Sequence, residues 1–224
     1  MVLYWSGGKD CAMALHEIST SQRYRDYRVA SLLTTFTEGF DRVSGHGVRR
    51  SLVERQAESI GLDLLQTFIP QQANMLQYEM VMERALRAQK GQGTDVAASG
   101  DIFVEKQRMA IFKKVGMNGC FPLCRRNSRR QAEELIGLGF KALVVCVDST
   151  VLDASFAGRL VDENFLRDLP TGVDPCGEHG EFHTFAFGGP IFSRQVQFRL
   201  GETVLRQGFY FCDLVPEDGF EPRV

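Results

Sequence analysis

The stretch MVLYWSGGKDCAMAL, residues 1–15, passes from an apolar run through two glycines, a lysine and an aspartate into a helical pattern. VLYW at 2–5 is typical of a buried strand, and residues 11–18 are typical of a helix. A glycine-rich loop between a strand and a helix is a recurrent anion site, because the helix N-terminus carries unpaired amides and partial positive charge. The stretch therefore predicts an α/β domain with a phosphate site close to its first residue.

The residue types in this loop suit a polyphosphate. Gly7 and Gly8 let the backbone approach an anion without a Cβ in the way, and Lys9 adds a full positive charge. Asp10 suits either a cap of the following helix or a position near a phosphate-bound Mg²⁺. The spacing fits neither G-x-x-x-x-G-K-[ST] nor G-x-G-x-x-G, so these two nucleotide motifs are excluded. The competing interpretation is a tight turn with a solvated lysine, which the preceding buried strand disfavours.

The alternation of strands and helices continues to about residue 148. This order predicts a Rossmann-like α/β fold, a parallel sheet with helices on both faces. Near the end of the chain, apolar and polar residues alternate as in a small antiparallel sheet. We therefore expect a nucleotide-type domain at 1–148 and a smaller α+β subdomain at 149–224. The predicted strands are 2–5, 28–35, 64–69, 95–99, 120–123 and 141–147, and the predicted helices are 11–18, 48–60, 74–90, 105–115, 128–138 and 162–169.

Composition and charge narrow the range of partners. The chain has 224 residues and a formal net charge of −2, so the overall basic character that nucleic acid attracts is missing. No apolar run approaches about 20 residues and no leader pattern is visible, from which we expect no membrane span and a cytoplasmic location. The six cysteines are scattered, as free thiols are, and Cys120 and Cys124 lack the second pair of a zinc site.

SGGKDC at 6–11 resembles the SGGKD[ST] loop of the PP-loop ATP pyrophosphatase superfamily, whose members split ATP into AMP and pyrophosphate. The resemblance implies a fold of the HUP type, with ATP and Mg²⁺ as cofactors. It implies catalytic roles for Lys9 and Asp10, with Asp10 also at the metal. Cys11 departs from the superfamily pattern, and a thiol is a weaker hydrogen-bond donor than a hydroxyl. The residues that the resemblance assigns to ATP are Ser6, Gly7, Gly8, Lys9, Asp10 and Cys11.

Four later segments resemble, in order, the ATP-binding domain of the diphthine–ammonia ligase family. They are GHGVRRSLVERQAESIGL (45–62), ASGDIF (98–103), DSTVLDASFAGRLVDENFLRDLP (148–170) and DPCGEHGEFHTFAFGGPIF (174–192). The resemblance implies an amide ligase that adenylates a carboxylate, diphthine or a related substrate, and transfers ammonia to it. For diphthine, the acceptor is a modified histidine of elongation factor 2. Residues 1–148 then form the PP-loop ATP-binding domain, and 149–224 a substrate-binding subdomain.

Polar residues at the ends of two other predicted strands extend the expected nucleotide site. Gly100 and Asp101 follow the strand at 95–99, and the carboxyl ends of strands line the ligand crevice of an open α/β sheet. Asp101 suits a Mg²⁺ ligand or a nucleotide contact as well as a cap of the next helix. Thr34 ends the strand at 28–35, where a nucleotide contact competes with simple strand propensity, the favoured interpretation.

The segment DPCGEHGEFHTF, residues 174–185, concentrates carboxylates and histidines on glycine-rich backbone. Glu178, Glu181 and His183 are the catalytic candidates, for ammonium binding or proton transfer, and a near-neutral pKa would suit His183 to acid–base work. A metal site with His179 and His183 ranks lower because the spacing matches no standard zinc pattern, and a plain polar turn is the third interpretation. The substrate-binding candidates of the segment are Gly177, Glu178 and Thr184.

Three residues have two interpretations each. Arg159, in a G-R-x-x-D element, would bind a substrate carboxylate or phosphate, or form a surface ion pair. His46, in a glycine-flanked loop, would face the site or the solvent. Cys176 would be a nucleophile or a structural residue, and the nearby carboxylates favour the structural role because they raise a thiol pKa.

The leading hypothesis is an AMP- and pyrophosphate-forming amide ligase with ATP, ammonium and a carboxylate as small-molecule partners. A PP-loop enzyme that modifies tRNA is the first alternative, and the acidic balance and the lack of C-x-x-C speak against it. A non-catalytic sensor of adenine nucleotides is the second, and the polar segment 174–185 speaks against it. The oligomeric state stays open, a homo-oligomer included.

Overall fold

The computed structural model describes residues 1–102 and 105–217. Phe103 of the ASGDIF segment and residues 218–224 of the predicted C-terminal subdomain lie outside these ranges. In the described ranges, no helix has both the length and the apolar character that a membrane crossing requires. The strands are β1 (Val2–Tyr4), β2 (Ser31–Thr37), β3 (Arg42–Val43), β4 (Asp63–Ile69), β5 (Val96–Ala98), β6 (Asn118–Cys120), β7 (Lys141–Asp148), β8 (Phe182–Gly188), β9 (Phe198–Arg206) and β10 (Phe209–Pro216), and the helices are α1 (Lys9–Thr20), α2 (Arg50–Ile60), α3 (Met75–Gly91), α4 (Glu105–Lys114), α5 (Ser128–Gly137) and α6 (Glu163–Asp168).

The first sheet has the strand order β4-β2-β1-β5-β6, with all five strands parallel and the short β3 antiparallel to the end of β2. The β1 residue Val2 lies between Ser31 and Ala97 of the neighbouring strands. The three residues of β1 are buried on both faces, as their continuous apolar character predicts. This is the strand order of a doubly wound sheet, and it confirms the predicted Rossmann-like class.

Helices cover both faces of this sheet. On one face, Met82 of α3 and Phe112 of α4 pack with Val2. On the other, Leu52 of α2 and Leu135 of α5 belong to the main hydrophobic core. Sequence signals set the helix ends: α2 stops at the left-handed Gly61, and α3 begins at a capping box of Asn74 and Gln77.

The second sheet is antiparallel, with the order β8-β7-β10-β9. The expectation that the strand at 141–147 belongs to the parallel sheet is wrong, because β7 pairs with β8 and β10. The strand is nevertheless buried on both faces, and this burial explains its run of apolar residues. We therefore propose a division between residues 120 and 128, in place of the one at 148.

The two sheets share one hydrophobic core. Leu3 of β1, Ala12 of α1 and Phe185 of β8 belong to the same cluster of buried side chains. The backbone connects them as well, since the Ala186 amide donates to the Gly7 carbonyl at 2.8 Å. The second part of the chain is thereby fixed against the glycine-rich loop.

Candidate active site

A cleft of about 630 Å³ opens at the carboxyl ends of β1, β2 and β5. The chain order reverses between β1 and β5, and ligands of open α/β sheets bind at such a switch point. The predicted site residues that line the cleft are Ser6, Lys9, Asp10, Cys11, Gly100, Asp101, Gly177, Glu178, His183 and Thr184.

A buried glutamine of α2 holds the glycine loop in place. The Gln56 side chain donates to the carbonyls of Gly7 at 2.9 Å and Ala186 at 2.5 Å, and it accepts from Trp5 Nε1 at 2.9 Å. Gly7 has φ +79°, and a Cβ there would lie 2.8 Å from Gln56 Oε1. Glycine is therefore required at this position both for its backbone conformation and for the close approach of Gln56.

The N-terminus of α1 faces the cleft with its amides partly satisfied by side chains. The Gly8 amide donates to Ser6 Oγ at 3.3 Å, and the Lys9 amide to Thr184 Oγ1 at 3.0 Å. The first helix amide that reaches a carbonyl is that of Ala12, at 3.2 Å from the Gly8 oxygen. The amides between them, at Asp10 and Cys11, have no intrahelical acceptor, which suits an anion.

Lys9 is only 3% exposed, yet its ammonium group lies at the cleft wall. Its Nζ donates to Asp10 Oδ2 at 2.7 Å and to the Cys176 carbonyl at 2.5 Å, and it lies 5.5 Å from the Phe182 ring centre. Burial is the largest influence on the pKa of Lys9 and lowers it, but the charges of Asp10 and Glu178 and the hydrogen bond to Asp10 contribute to an upward net shift. Lys9 is a fixed cation with one of its three donors left for a ligand.

The Cys11 thiol stands where the SGGKD[ST] pattern has a hydroxyl, but it is not free to donate a hydrogen bond to a ligand. It donates to the Gly8 carbonyl at 3.0 Å and lies 3.8 Å from Ser6 Oγ. Burial raises its pKa to about 12, so the thiol stays protonated at neutral pH. The side chain therefore closes the first turn of α1.

Two carboxylates, Asp10 and Asp101, line the cleft on opposite sides of the β1–β5 switch point. Asp101 accepts from Ser99 Oγ and, at 2.8 Å, from Arg108 Nε. Burial and the Asp101 charge raise the pKa of Asp10, while the neighbouring Lys9 opposes the shift. No group of three metal-ligating side chains occurs among the residues described, so a metal here would need further ligands. Mg²⁺ fits such a donor set, because it is commonly held by one or two carboxylates together with substrate phosphates and water.

Arg108 of α4 supplies a cation that the sequence analysis did not identify. Its guanidinium donates to Asp101 and, at 2.6 Å, to the Tyr78 hydroxyl, and it lies 5.1 Å from the Tyr4 ring centre. Burial lowers its pKa and the Asp101 charge raises it, with a net upward shift. Arg108 therefore fixes the orientation of Asp101. No sequence motif marks it, because its partners come from three distant elements.

Internal hydrogen bonds determine the shape of the loop 174–182. The Asp174 carboxylate accepts from Ser128 Oγ at 2.6 Å and from the Cys176 amide at 2.8 Å. The Cys176 thiol donates to the Ser128 carbonyl at 3.2 Å, and burial raises its pKa to about 12. These contacts support the structural role expected for Cys176. They also direct the carbonyl of Cys176 towards Lys9.

Glu178 extends from this loop into the cleft. One of its oxygens accepts from the Ile102 amide at 3.2 Å, across the switch point. Burial, followed by the charge of Asp10, raises the pKa of Glu178 to about 8, while Lys9 opposes the shift. A carboxyl with a pKa near the working pH is suited to proton transfer.

The rings of His183 and His46 lie against each other in the cleft wall, with ring centres 4.5 Å apart and planes tilted by 33°. Burial and the Lys9 charge lower the pKa of His183 to about 4, so the expectation of a near-neutral pKa is wrong. Burial and the His183 charge lower the pKa of His46 as well. Both rings are neutral at pH 7 in the protein without ligand. Of the two interpretations of His46, the structure supports the one that faces the site.

Five predicted site residues are not part of the cleft lining: Gly7 and Gly8 of the glycine loop, and Thr34, Arg159 and Glu181. The Thr34 hydroxyl is buried and donates to the Trp5 carbonyl at 2.6 Å. Arg159 binds Asp168 at 2.7 Å and lies over the Phe156 ring, as the ion-pair interpretation stated. The remaining one, Glu181, is 7% exposed.

Glu181 uses both of its oxygens within its own loop. It accepts from the Asp174 amide at 3.0 Å and the His179 amide at 2.9 Å, which identifies a role in shaping the loop. Gly100 does line the cleft, and its Cβ would lie 2.6 Å from the Asp10 carbonyl. The two backbones can approach each other only because residue 100 is glycine.

Family models match most of the chain. The model described as diphthamide synthase N-terminal domain matches residues 1–119, and the one described as diphthamide synthase C-terminal domain matches residues 127–214. The diphthine–ammonia ligase of Homo sapiens is 27% identical over 121 residues, which are 50% of this chain and 45% of that protein. The Mus musculus protein of the same name is 28% identical over 107 residues, 46% of this chain and 40% of that protein. The matched region thus spans less than half the length of these relatives.

One solved structure gives a more distant comparison. The predicted subunit of a tRNA methyltransferase from Methanocaldococcus jannaschii superposes with a TM-score of 0.45 and 14% identity. The superposition covers 85% of this chain and 98% of that one.

Proposed function

This chain belongs to the diphthamide synthase family, and on that basis we propose that it is an ATP-dependent ligase that joins ammonia to a carboxylate and releases AMP and pyrophosphate. The observation that carries the proposal is that Lys9 brings the glycine loop and the loop 174–182 together in one cleft, through its bond to the Cys176 carbonyl. A nucleotide on the first loop would therefore lie against the carboxyl of Glu178.

The nucleotide half of the cleft suits the phosphates of ATP. The amides at the start of α1 and the third donor of Lys9 would bind them, and the loop is held from behind by Gln56. Attack of the substrate carboxylate on the α-phosphate forms an acyl-adenylate, and the P–O bond to pyrophosphate breaks. Preorganised positive charge at the leaving group stabilises such a transition state. Asp10 and Asp101 would hold Mg²⁺, which supplies further charge neutralisation when bound.

Residues of the loop 174–182 would carry out the second half-reaction. Ammonium would lie against Glu178, whose pKa of about 8 makes it a stronger base than an ordinary carboxylate. Ammonium passes one proton to Glu178, the nitrogen attacks the acyl carbon, and the second proton leaves to solvent or to the AMP phosphate. The C–O bond to AMP then breaks as the amide forms. The Thr184 hydroxyl already accepts from the Lys9 amide, so its role is to hold the two halves of the site together.

The acceptor is proposed from the printed names of the relatives. They are diphthine–ammonia ligases, so diphthine, a modified histidine of elongation factor 2, is the first acceptor to test. The test combines the protein with ATP, Mg²⁺, ¹⁵N-ammonium and elongation factor 2 that carries diphthine. We expect AMP and pyrophosphate in equal amounts with labelled amide, whereas ADP as the product would refute the proposal.

Two variants separate the half-reactions. Lys9→Ala removes the buried cation and should abolish AMP formation, while Lys141→Ala, an exposed lysine on β7, should retain it. Glu178→Gln should bind ATP as the wild type does but form no amide. Amide formation by Glu178→Gln at the wild-type rate would remove Glu178 from the mechanism.

A further inference from the structure

The two histidines that line the cleft, His46 and His183, take no part in the ligase chemistry proposed above. His46 and His183 line the same wall, and neither forms part of the glycine loop. His46 Nε2 lies 3.4 Å from the position that a Cβ on Gly8 would occupy. The imidazole therefore borders Gly8, the residue immediately before α1. Its buried Nδ1 forms no hydrogen bond among the described residues, although the Ser44 backbone lies near enough to act on the pKa of the ring. The nitrogen beside the glycine loop is Nε2, and a protonated imidazole there would contact an anion bound to that loop.

Contacts with β10 fix His46 in this position. Gly47 has φ +72°, and its Cβ would lie 2.7 Å from the Phe211 ring. Arg42 donates to the Gly47 carbonyl at 2.7 Å and to Asp213 at 2.8 Å. Arg49 binds the same aspartate at 2.6 Å. Such a clamp holds the loop, and with it the imidazole, against the cleft.

We propose that His46 and His183 form one wall of the phosphate site, and that the pair takes up one proton when a polyphosphate binds. This inference rests on the proposed function for the identity of the ligand as a nucleotide. The two rings carry a single proton between them, because two imidazolium ions at 4.5 Å would repel each other. The protonated pair supplies a second cation at the phosphates.

The charges around the pair determine when it titrates. Lys9 at the start of α1 disfavours a positive charge on either ring, and burial does the same. Asp10 and Glu178 are the acidic groups that line the cleft nearby, and Asp213 behind the loop is engaged by its two arginines. A bound polyphosphate adds negative charge that offsets Lys9, which raises the proton affinity of the rings.

The test is isothermal titration calorimetry of ATP with saturating Mg²⁺ and no acceptor, at pH 6, in buffers of different ionisation enthalpy. We expect the wild type to take up about one proton per nucleotide, and affinity to rise about tenfold for each unit by which the pH falls. His46→Gln and His183→Gln keep a polar side chain that cannot be protonated, so both should lose the uptake. The matched control is His16→Gln, a histidine on α1 that contacts Phe140, and its uptake should equal that of the wild type.

Three outcomes would overturn the inference. ATP that binds with no difference in uptake between wild type and the two cleft variants refutes the histidine pair and leaves the ligase proposal intact. Loss of the uptake in only one of the two single variants refutes the shared proton. Absence of binding by ATP, AMP and inorganic pyrophosphate alike refutes the phosphate site, and with it the proposed function.

Discussion

The buried glutamine of α2 gives the sharpest test of how the glycine loop is held. Gln56 is completely buried, and Gln56→Leu keeps a similar volume while it removes three hydrogen bonds. The Gly7 carbonyl retains the Ala186 amide as a donor, so two polar groups, Trp5 Nε1 and the Ala186 carbonyl, lose the side chain that satisfies them. At about 1–3 kcal/mol for each orphaned group, the expected loss in unfolding free energy is about 2–6 kcal/mol.

Urea denaturation measures this loss. With a urea slope of about 3 kcal/mol/M or less, the midpoint should fall by about 0.7 M or more, with the slope itself unchanged. The matched control is Gln89→Leu on α3, a glutamine that is 9% exposed and whose side chain forms one hydrogen bond among the described residues, to Gln92 at 3.2 Å. It should cost less than about 1 kcal/mol, because a single neutral hydrogen bond is lost.

Ligand binding supplies the second measurement on the same variants. At low temperature, where folded Gln56→Leu persists, its affinity for ATP should fall at least about tenfold, since the loop loses its anchor from behind. A midpoint for Gln56→Leu equal to that of Gln89→Leu would contradict the inference that Gln56 organises the loop. Normal ATP affinity in an otherwise destabilised variant would restrict its role to the core.

Three further predictions follow from the cleft. Gly100→Ala places a Cβ 2.6 Å from the Asp10 carbonyl, and titration with ATP should show binding weakened more than about tenfold. The control Gly91→Ala has open space around the added Cβ and should bind ATP as the wild type does. Burial raises the folded-state pKa of Glu178 from the ordinary value of 4.5 to about 8. The stability of the wild type should therefore fall relative to that of Glu178→Gln as the pH rises from about 4.5 to 8. Urea midpoints of the two proteins that run parallel across that range would contradict this. Arg159→Gln should leave KM for the acceptor unchanged, and a raised KM would return Arg159 to the site.

The sequence predicted most of the fold because its signals are local. The glycine loop after a buried strand, the stop at Gly61 and the alternation of strands with helices all operate within about 20 residues. The parallel or antiparallel pairing of a strand has no local signal. A run of buried apolar residues, such as β7, is compatible with both, which is why its sheet was assigned wrongly.

Site residues that belong to one sequence motif could be predicted. Site residues that come together only in the folded chain could not. Lys9 and Glu178 belong to two recognisable segments, and both line the cleft. Arg108 depends on partners that lie in other elements, so its own segment contains nothing that indicates a site, and the glycine-flanked loop of His46 left its direction open. Arg159 was assigned to substrate from a motif, whereas its actual partner lies nine residues further along the chain.

The bond from the Lys9 amide to Thr184 has a consequence for how the protein comes to bind nucleotide during its synthesis. A nascent chain of about 150 residues already contains the whole parallel sheet and its glycine loop. It still lacks β8, whose threonine and backbone complete the loop, and the Cys176 carbonyl that holds Lys9. Nucleotide affinity should therefore arise late and in one step, and residues 1–126 alone should not serve as a transplantable ATP-binding module.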